Sequence, residues 1–380
     1  MTPEKRLSFD EFDEILKSAE SRFRSRIGNL ERLVAATSVY LFGYGGKGRA
    51  LAWQITKNSD TKVIIYDSNP KMRGLAAKEG FATVSSSQEL QQGEYGVILG
   101  ACQAQIEQAA VVPHNHIYYQ EAAYLFDAPH HANKAREFTT WIVNNRESLY
   151  KTYTSIHAQS RDVFLNVLSF RLSLDPCDLI PCKARNSDMW FDVLERHSSR
   201  KYATFLDVGA YDGDTLLQAQ RRLLVMRGIA VEANASLFES IGQVAKSYES
   251  GVEILPRAAW SHACHLRFSE GIGGMISVSE AEDGELEAAP IDDGINEHVD
   301  VIKMDIEGAE MPALKGCLRT LKTGPDLAIA AYHRPEDLVQ LPRFLESAGY
   351  VKPDFDFHVG HYSDCFDDTI IYFMRRRDFS

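Results

Sequence analysis

The residues best suited to chemistry in this sequence sit in two short stretches and at one histidine. The first is ATFLDVGAYDGDT, residues 203–215, where an apolar run from Thr204 to Val208 leads into Gly209, Ala210, Tyr211, Asp212 and Gly213. Glycines in such a turn let backbone approach a ligand closely. An acid at the tip of a parallel strand faces the crevice where α/β sheets hold nucleosides. Asp207 is that acid, and Asp214 and Thr215 open the helix that follows. A second carboxylate, Glu232, ends the next apolar run, Arg227 to Val231, and lies twenty-three residues after Gly209. That interval suits an acid that holds both hydroxyls of a ribose. The second stretch, VDVIKMDIEGAEMPALKG (residues 299–316), puts Asp305 at a strand tip, with Glu307, Gly308 and Glu310 leading into a helix. His333 follows the apolar run Asp326 to Tyr332 and reaches the same edge. A carboxylate or an imidazole there could take a proton from an acceptor, so Asp305 and His333 are alternative general bases. Glu310 also has a structural reading, because an acid in the first turn of a helix complements the helix dipole.

These residues need a sheet to hold them. From Tyr202 onward apolar strands and helical stretches alternate, as a parallel doubly wound sheet requires. Val252 to Trp260 reads as a third strand, Cys264 to Glu270 as an antiparallel excursion, and Gly271 to Gly274 as a loop able to close over a substrate. The acidic segment Glu280 to Glu287 reads as a solvated loop. Asp300 to Met304 and Asp326 to Tyr332 are further strands, Glu336 to Ala348 is a helix, and Tyr350 to His358 with Asp368 to Arg375 form a closing hairpin.

The first half has its own glycine turn. Val39 to Gly43 is a strand ending in GYGGKG, where Gly43, Gly45 and Gly48 satisfy G-x-G-x-x-G. A second strand, Lys62 to Tyr66, ends in Asp67, nineteen residues after Gly48, and Tyr95 to Gly100 is a third. Strand, glycine turn, helix, strand and acid in that order let backbone N–H groups face a pyrophosphate and Asp67 accept from a ribose hydroxyl. The alternative is a scaffold that has lost its ligand and serves assembly. Before it, residues 5 to 36 form an amphipathic helical arm, with Leu7, Phe9, Phe12, Ile15 and Leu16 as the apolar stripe that packs on the first domain or a partner subunit. After it, Ala132 to Leu174 is helical and links the two halves, and Pro176 and Pro181 mark its end.

The bulk properties narrow the class. A chain of 380 residues, 44% hydrophobic and 25% charged, is long enough for two globular domains. A net charge of −12 argues against nucleic acid as the main substrate. The six cysteines are scattered; Cys177 and Cys182 lack a second pair, so no zinc site is expected. His114, His116, His130 and His131 have no metal-ligand spacing and read as loop histidines; a divalent metal at Asp305, Glu307 and Glu310 is the lesser alternative, since magnesium sites usually borrow substrate phosphates, so no metal is expected. No apolar run reaches the length of a membrane span and the N-terminus is polar, so a cytoplasmic protein is expected.

Taken together, Asp207 to Thr215 (DVGAYDGDT), Glu232 within VEANASLF, and Ile302 to Glu310 (IKMDIEGAE) resemble the FkbM family of S-adenosylmethionine-dependent O-methyltransferases. The resemblance covers roughly residues 160 to 375. This chain has Glu232, Ala233, Asn234 where the family usually has Glu-Pro-Asn. A segment similar to SRDVFLNVLSFRL precedes the loop in many members that carry an N-terminal Rossmann-like domain. The first half is also similar to nucleotide-binding domains of polysaccharide-modifying proteins, through Asp67, Ser68, Asn69 and Pro70. The resemblance implies an α/β architecture of two Rossmann-like domains, the C-terminal one a class I methyltransferase sheet with a terminal antiparallel hairpin. Its parts are a helical arm (1–36), a small Rossmann-like nucleotide-binding domain (37–125), a helical connector (126–200) and the methyltransferase domain (201–380). It implies S-adenosylmethionine held by Asp207, Gly209, Ala210, Gly213, Asp214, Thr215, Glu232, Ala233 and Asn234. Asp207 or Asp214 contacts the ammonium and Glu232 the ribose, while Glu307 or Glu310 orients the acceptor. A dinucleotide or nucleotide-sugar on Gly43, Gly45, Gly48 and Asp67 stays open. The implied acceptor is a small molecule or glycan with an aliphatic hydroxyl, and a homo-oligomer is left open. Two rivals remain: an NAD(P)-binding sugar-modifying oxidoreductase that works from the first glycine turn, and a non-catalytic nucleotide-binding or assembly protein.

Overall fold

The computed structural model describes residues 6–34, 37–91, 97–100, 105–112, 116–126, 131–197, 201–270 and 276–376. Three sheets organise them. The first consists of β1 (Ser38–Phe42), β2 (Lys62–Tyr66), β3 (Ala82–Thr83), β4 (Val97–Leu99) and β5 (His116–Ile117). All its pairings are parallel and the order is β3-β2-β1-β4-β5. β1 alternates half-buried and buried residues, so Val39 and Leu41 go to one core while Tyr40 and Phe42 pack on the other face.

The second sheet is built from β6 (Thr204–Val208), β7 (Arg227–Val231), β8 (Val252–Leu255), β13 (Val301–Met304), β14 (Asp326–Ala330), β15 (Phe355–His361) and β16 (Thr369–Arg375). Its order is β15-β16-β14-β13-β6-β7-β8, with β16 antiparallel to both neighbours and the rest parallel. Every residue of β6, β13 and β14 is buried, as a central strand covered on both faces demands. The strand tips that carry Asp207, Glu232, Asp305 and His333 therefore stand side by side.

A third sheet has the order β11 (Ile276–Glu280), β10 (Cys264–Glu270), β12 (Leu286–Ala289) and β9 (Ala258–Ala259). It corrects two expectations. Val252 to Trp260 is not one strand: it splits into β8 and β9 (Ala258–Ala259), because Pro256 between them has no N–H to continue the ladder. Glu280 to Glu287 is not a plain solvated loop. It is the turn between β11 (Ile276–Glu280) and β12 (Leu286–Ala289), both paired with β10 (Cys264–Glu270). A Cβ on Gly284 would lie 2.5 Å from the Leu266 carbonyl carbon, which fixes glycine at that turn. The loop expected at Gly271 to Gly274 lies outside the described residues, as do His114, His130, Cys102 and Tyr95.

The arm and the connector make one core with the second sheet. Phe12, Leu16 and Ala19 of helix Phe9–Val34 share a buried cluster with Phe164 and Leu168 of helix Arg161–Ser173 and with Leu206, Ile302 and Ile329 of β6, β13 and β14. Phe9 and Phe12 also meet Tyr150, with ring centroids 5.4 and 5.5 Å apart. The arm's apolar stripe is thus used mainly on the connector, and Ile15, read as part of it, is exposed. Arg146 fixes the register by pairing with Asp13 (2.6 Å) and Glu20 (2.8 Å). Arg26 is the arm's tie to the first sheet's side, 2.5 Å from Glu121.

Candidate active site

The turn after β6 is shaped by contact with the tip of β13. Gly209 has φ +80, and a Cβ there would lie 2.0 Å from the carbonyl oxygen of Asp305, so only glycine fits. Gly213, at φ +89, faces Ile241 and Val244 of the neighbouring helix, so its task is packing. Tyr211 takes a left-handed conformation, φ +49, with an exposed ring. A single carboxylate braces this turn. Glu232 Oε2 accepts the Tyr211 N–H at 2.9 Å and Oε1 accepts the Asn234 N–H at 2.7 Å. A carboxylate has about four acceptor positions, so two stay open toward a ligand.

A cavity of about 450 Å³ opens beside this turn, within the range of small-molecule sites. Gly209, Asp214, Thr215, Glu232 and Ala233 line it on one side, and Asp305 and Glu307 on another. Val231, Ile306 and Trp190 add apolar wall. Ala210, Gly213 and Asn234 are not among its lining residues: Ala210 is buried in the core, and Asn234 caps the following turn through the Ser236 N–H. Asp207 is a correction. Its carboxylate is fully buried and stands 2.9 Å from Lys303 Nζ, so it faces a lysine and not the cavity. Asp214, the other acid read for that role, does line the cavity, and its Oδ1 accepts the Thr215 N–H at 2.7 Å.

Lys303 is the residue that sequence reasoning missed. Its Nζ also donates to the Gly209 carbonyl at 2.7 Å and lies 5.3 Å from the centre of the Trp190 ring. Burial pushes Asp207 up to about 6 against the pull of Lys303. Burial likewise opposes the charge on Lys303, but Asp207 and then Asp305 outweigh it and raise its pKa. The pair is therefore ionised at neutral pH and pins the glycine turn from below. The lysine stood in the quoted IK-x-D block, and a cation inside a buried strand next to an acid-ended strand was the available signal. Met189 and Trp190 line the cavity from the connector, a segment without motif; no local pattern marked them.

The acid edge is tighter than spacing alone could show. His333 Nδ1 lies 2.9 Å from Glu310 Oε1, while Nε2 lies 3.5 Å from Asp305 Oδ1 and 3.6 Å from Glu307 Oε2. Burial works against a charge on His333, but Glu310, Asp305 and Glu307 overcome it and lift the imidazole to about 9. Burial likewise opposes the charge on Glu310, yet His333 and the Ile306 N–H hold its carboxyl below the usual range. Burial raises Glu307. Tyr332, also unforeseen, donates its hydroxyl to Asp305 Oδ1 at 3.1 Å. Of the predicted catalytic set, Asp305 and Glu307 face the cavity, and His333 and Glu310 stand behind them.

The first sheet repeats the brace. Asp67 Oδ2 accepts the Tyr44 N–H of the glycine turn at 2.7 Å and Oδ1 accepts the Asn69 N–H at 2.8 Å. Gly48 is the residue of close approach: a Cβ would lie 2.1 Å from the Gly43 carbonyl oxygen and 3.1 Å from that of Gly100. Gly45 caps helix Gly46–Asn58 and meets nothing within 4 Å. Lys47 reaches across to Asp367 beside β16, at 3.0 Å, so this turn abuts the second sheet.

A seven-stranded sheet in this order, with a glycine turn after its first strand and an acid after its second, defines the class I methyltransferase fold. Residues 207–352 match the family model described as the methyltransferase FkbM domain. Over nearly its whole length the chain is similar in structure to the methyltransferase FkbM from Methylobacillus flagellatus KT. That match covers 96% of this chain and 100% of the other, with a TM-score of 0.73 and 20% sequence identity, and it speaks for the fold. Two others are more distant. The O-methyltransferase TomG from Streptomyces achromogenes, involved in tomaymycin synthesis and solved with its cofactor, is 14% identical over 47% of this chain and 74% of that one, with a TM-score of 0.30. A methyltransferase from Aquifex aeolicus is 18% identical over 52% and 97%, also with a TM-score of 0.30. No curated protein matches the chain. Among the described residues, no helix is long and apolar enough to cross a membrane.

The cavity suits the family's cofactor. The glycine at 209 leaves room at the turn, Glu232 keeps two acceptor positions for ribose hydroxyls, and Asp214 offers a carboxylate to an ammonium.

Proposed function

We propose that this protein methylates an aliphatic hydroxyl, on a sugar or another small molecule, with S-adenosylmethionine as donor. The observation that carries this reading is the pair Asp305 and Glu307 on the rim of the cavity, with His333 behind them, where an alcohol needs its proton taken. When bound, the cofactor supplies a sulfonium methyl group that leaves sulfur as a thioether. Glu232, Asp214 and the Gly209 turn would hold it. Asp305 would take the acceptor's O–H proton, leaving the oxygen free to accept the methyl group. The Tyr332 hydroxyl keeps Asp305 turned toward the cavity, and Glu307, also on the cavity wall, orients the acceptor. Positioning of this kind supplies much of the rate in methyl transfer, and a placed proton acceptor adds about 10²–10⁴-fold. In this reading residues 37–125 and 201–380 are two modules, and the helices of 126–200 belong to the core of the second.

Asp305→Asn is expected to bind adenosylhomocysteine as the native chain does and to lower turnover on a hydroxyl acceptor by about 100-fold or more. A labelled-donor assay over a panel of glycans and small alcohols measures this. Undiminished turnover in the variant would remove Asp305 as the proton acceptor.

One observation favours a second ligand. Asp67 repeats the two backbone contacts of Glu232, so the first glycine turn has the build of a nucleotide site. Titrating NADH and uridine diphosphate separately into the full chain is expected to give binding of one of them that Asp67→Ala abolishes. Absence of binding by both would leave that turn a scaffold.

A further inference from the structure

Around His333 the donor atoms are spaced for a metal ion better than for hydrogen bonds. Its Nδ1 is committed to Glu310 Oε1 at 2.9 Å. An imidazole held by a carboxylate on one nitrogen presents the other as a ligand in a fixed orientation. That other nitrogen, Nε2, lies 3.5 Å from Asp305 Oδ1 and 3.6 Å from Glu307 Oε2. Both distances are too long for a good hydrogen bond. Two donors that share one ion at about 2.1 Å stand roughly 3.0 to 3.4 Å apart, depending on octahedral or tetrahedral geometry. The observed spacings are within a few tenths of an ångström of that. Ligand atoms of Asp305, Glu310 and His333 all lie within 4.8 Å of one another.

A second, independent observation points the same way. The Glu310 side chain is 1% exposed, and its Oε2 is buried without a hydrogen-bond partner. Three carboxylates thus converge on one imidazole, and Lys134, whose charge also reaches Glu307, is paired with Asp367 at 2.7 Å. One imidazole offsets one of these charges at most, and Glu310, the fully buried one, is costly to hold as an anion with an unpaired oxygen.

We propose that Asp305, Glu307 and His333 Nε2, backed by Glu310, bind one divalent cation at the edge of the methyl-transfer cavity. Carboxylate oxygens with one imidazole suit Mn²⁺ and its neighbours. Glu307 lines the cavity from a left-handed backbone position, φ +56, followed by Gly308 at φ +91, which brings this wall of the site to the open side. The acceptor class follows, resting on the methyltransferase reading above. A cation here would chelate a hydroxyl together with an adjacent oxygen, as in a vicinal diol or an α-hydroxy acid, and lower the pKa of that hydroxyl. The sequence brought the carboxylates Asp305, Glu307 and Glu310 to one strand tip, where a metal was the less favoured reading, and the imidazole of His333 arrives from a different strand.

The test is a Mn²⁺ titration of the full chain after treatment with chelator, with free Mn²⁺ followed by electron paramagnetic resonance. Adenosylhomocysteine binding to the same samples is measured by calorimetry. One Mn²⁺ per chain is expected, weakened at least about tenfold in His333→Gln and in Glu310→Gln and unchanged in His262→Ala. His262 belongs to a separate His262, Cys264, Glu280 group on the surface and serves as the control. Calorimetry reports whether each variant is folded. If a variant fails to fold, Glu307→Gln, whose side chain is 56% exposed, replaces it. A chain that binds adenosylhomocysteine but no Mn²⁺, or whose Mn²⁺ is lost only in His262→Ala, overturns the metal site and leaves the methyltransferase reading standing. Mn²⁺ binding without adenosylhomocysteine binding does the reverse.

Discussion

Glu232→Ala is expected to weaken adenosylhomocysteine binding by at least about 100-fold, read by calorimetry on the full chain. The carboxylate has two tasks, and alanine removes both. It accepts the N–H groups of Tyr211 and Asn234, which shapes the glycine turn before any ligand arrives. In the proposed function its two remaining acceptor positions serve the ribose. Hydrogen bonds to a charged group contribute about 1.5–3 kcal/mol each, so losing two costs about 3–6 kcal/mol, and 2.8 kcal/mol is already a hundredfold. Glu232→Gln keeps one acceptor oxygen but turns an amide N–H₂ toward a backbone N–H. It is expected to fall between the two, about tenfold weaker than native. Unchanged affinity in the alanine variant would refute the ribose assignment.

The other large effect is on stability. Lys303→Met is expected to destabilise the chain by about 3–5 kcal/mol, because Asp207 would be left fully buried without its partner, whether as a charge or with a proton taken up at a cost. The Gly209 carbonyl would lose its donor as well. The double variant Asp207→Asn/Lys303→Met removes the uncompensated charge, so it is expected to recover more than half of the loss. Urea unfolding followed by circular dichroism and by tryptophan fluorescence checks this; Trp190 stands beside Lys303 and reports the site directly. If the single variant were as stable as native, the pair would not be what pins the turn.

How much of this was legible in the sequence depends on distance along the chain. The glycine turns, their flanking strands and the acids at 67 and 232 follow from local pattern, because each unit is strand, turn and helix in one run of residues. The closing hairpin was also readable, although β15 begins at Phe355, five residues later than its apolar run. Failures arose where a residue's task is set by another strand. Asp207 looked like a ligand contact because nothing in DVGAYDGDT reveals that Lys303 sits on the adjacent strand, in register with it. Trp190 and Tyr332 came from segments read as linker or strand. Pro256 was a signal on the page that an uninterrupted apolar run obscured. The arm's stripe was correct in period but not in target, since amphipathicity tells which face is buried and not against what.

The central claim is that a sulfonium nucleoside is seated between the turn at Gly209 and the carboxylate of Glu232. A crystal structure of the full chain grown with adenosylhomocysteine tests it most directly. The account expects one ligand in that cavity, its ribose hydroxyls on Glu232 and its sulfur facing Asp305. Ligand found on the Gly43 turn instead, or no ligand in the cavity at saturating concentration, would contradict it.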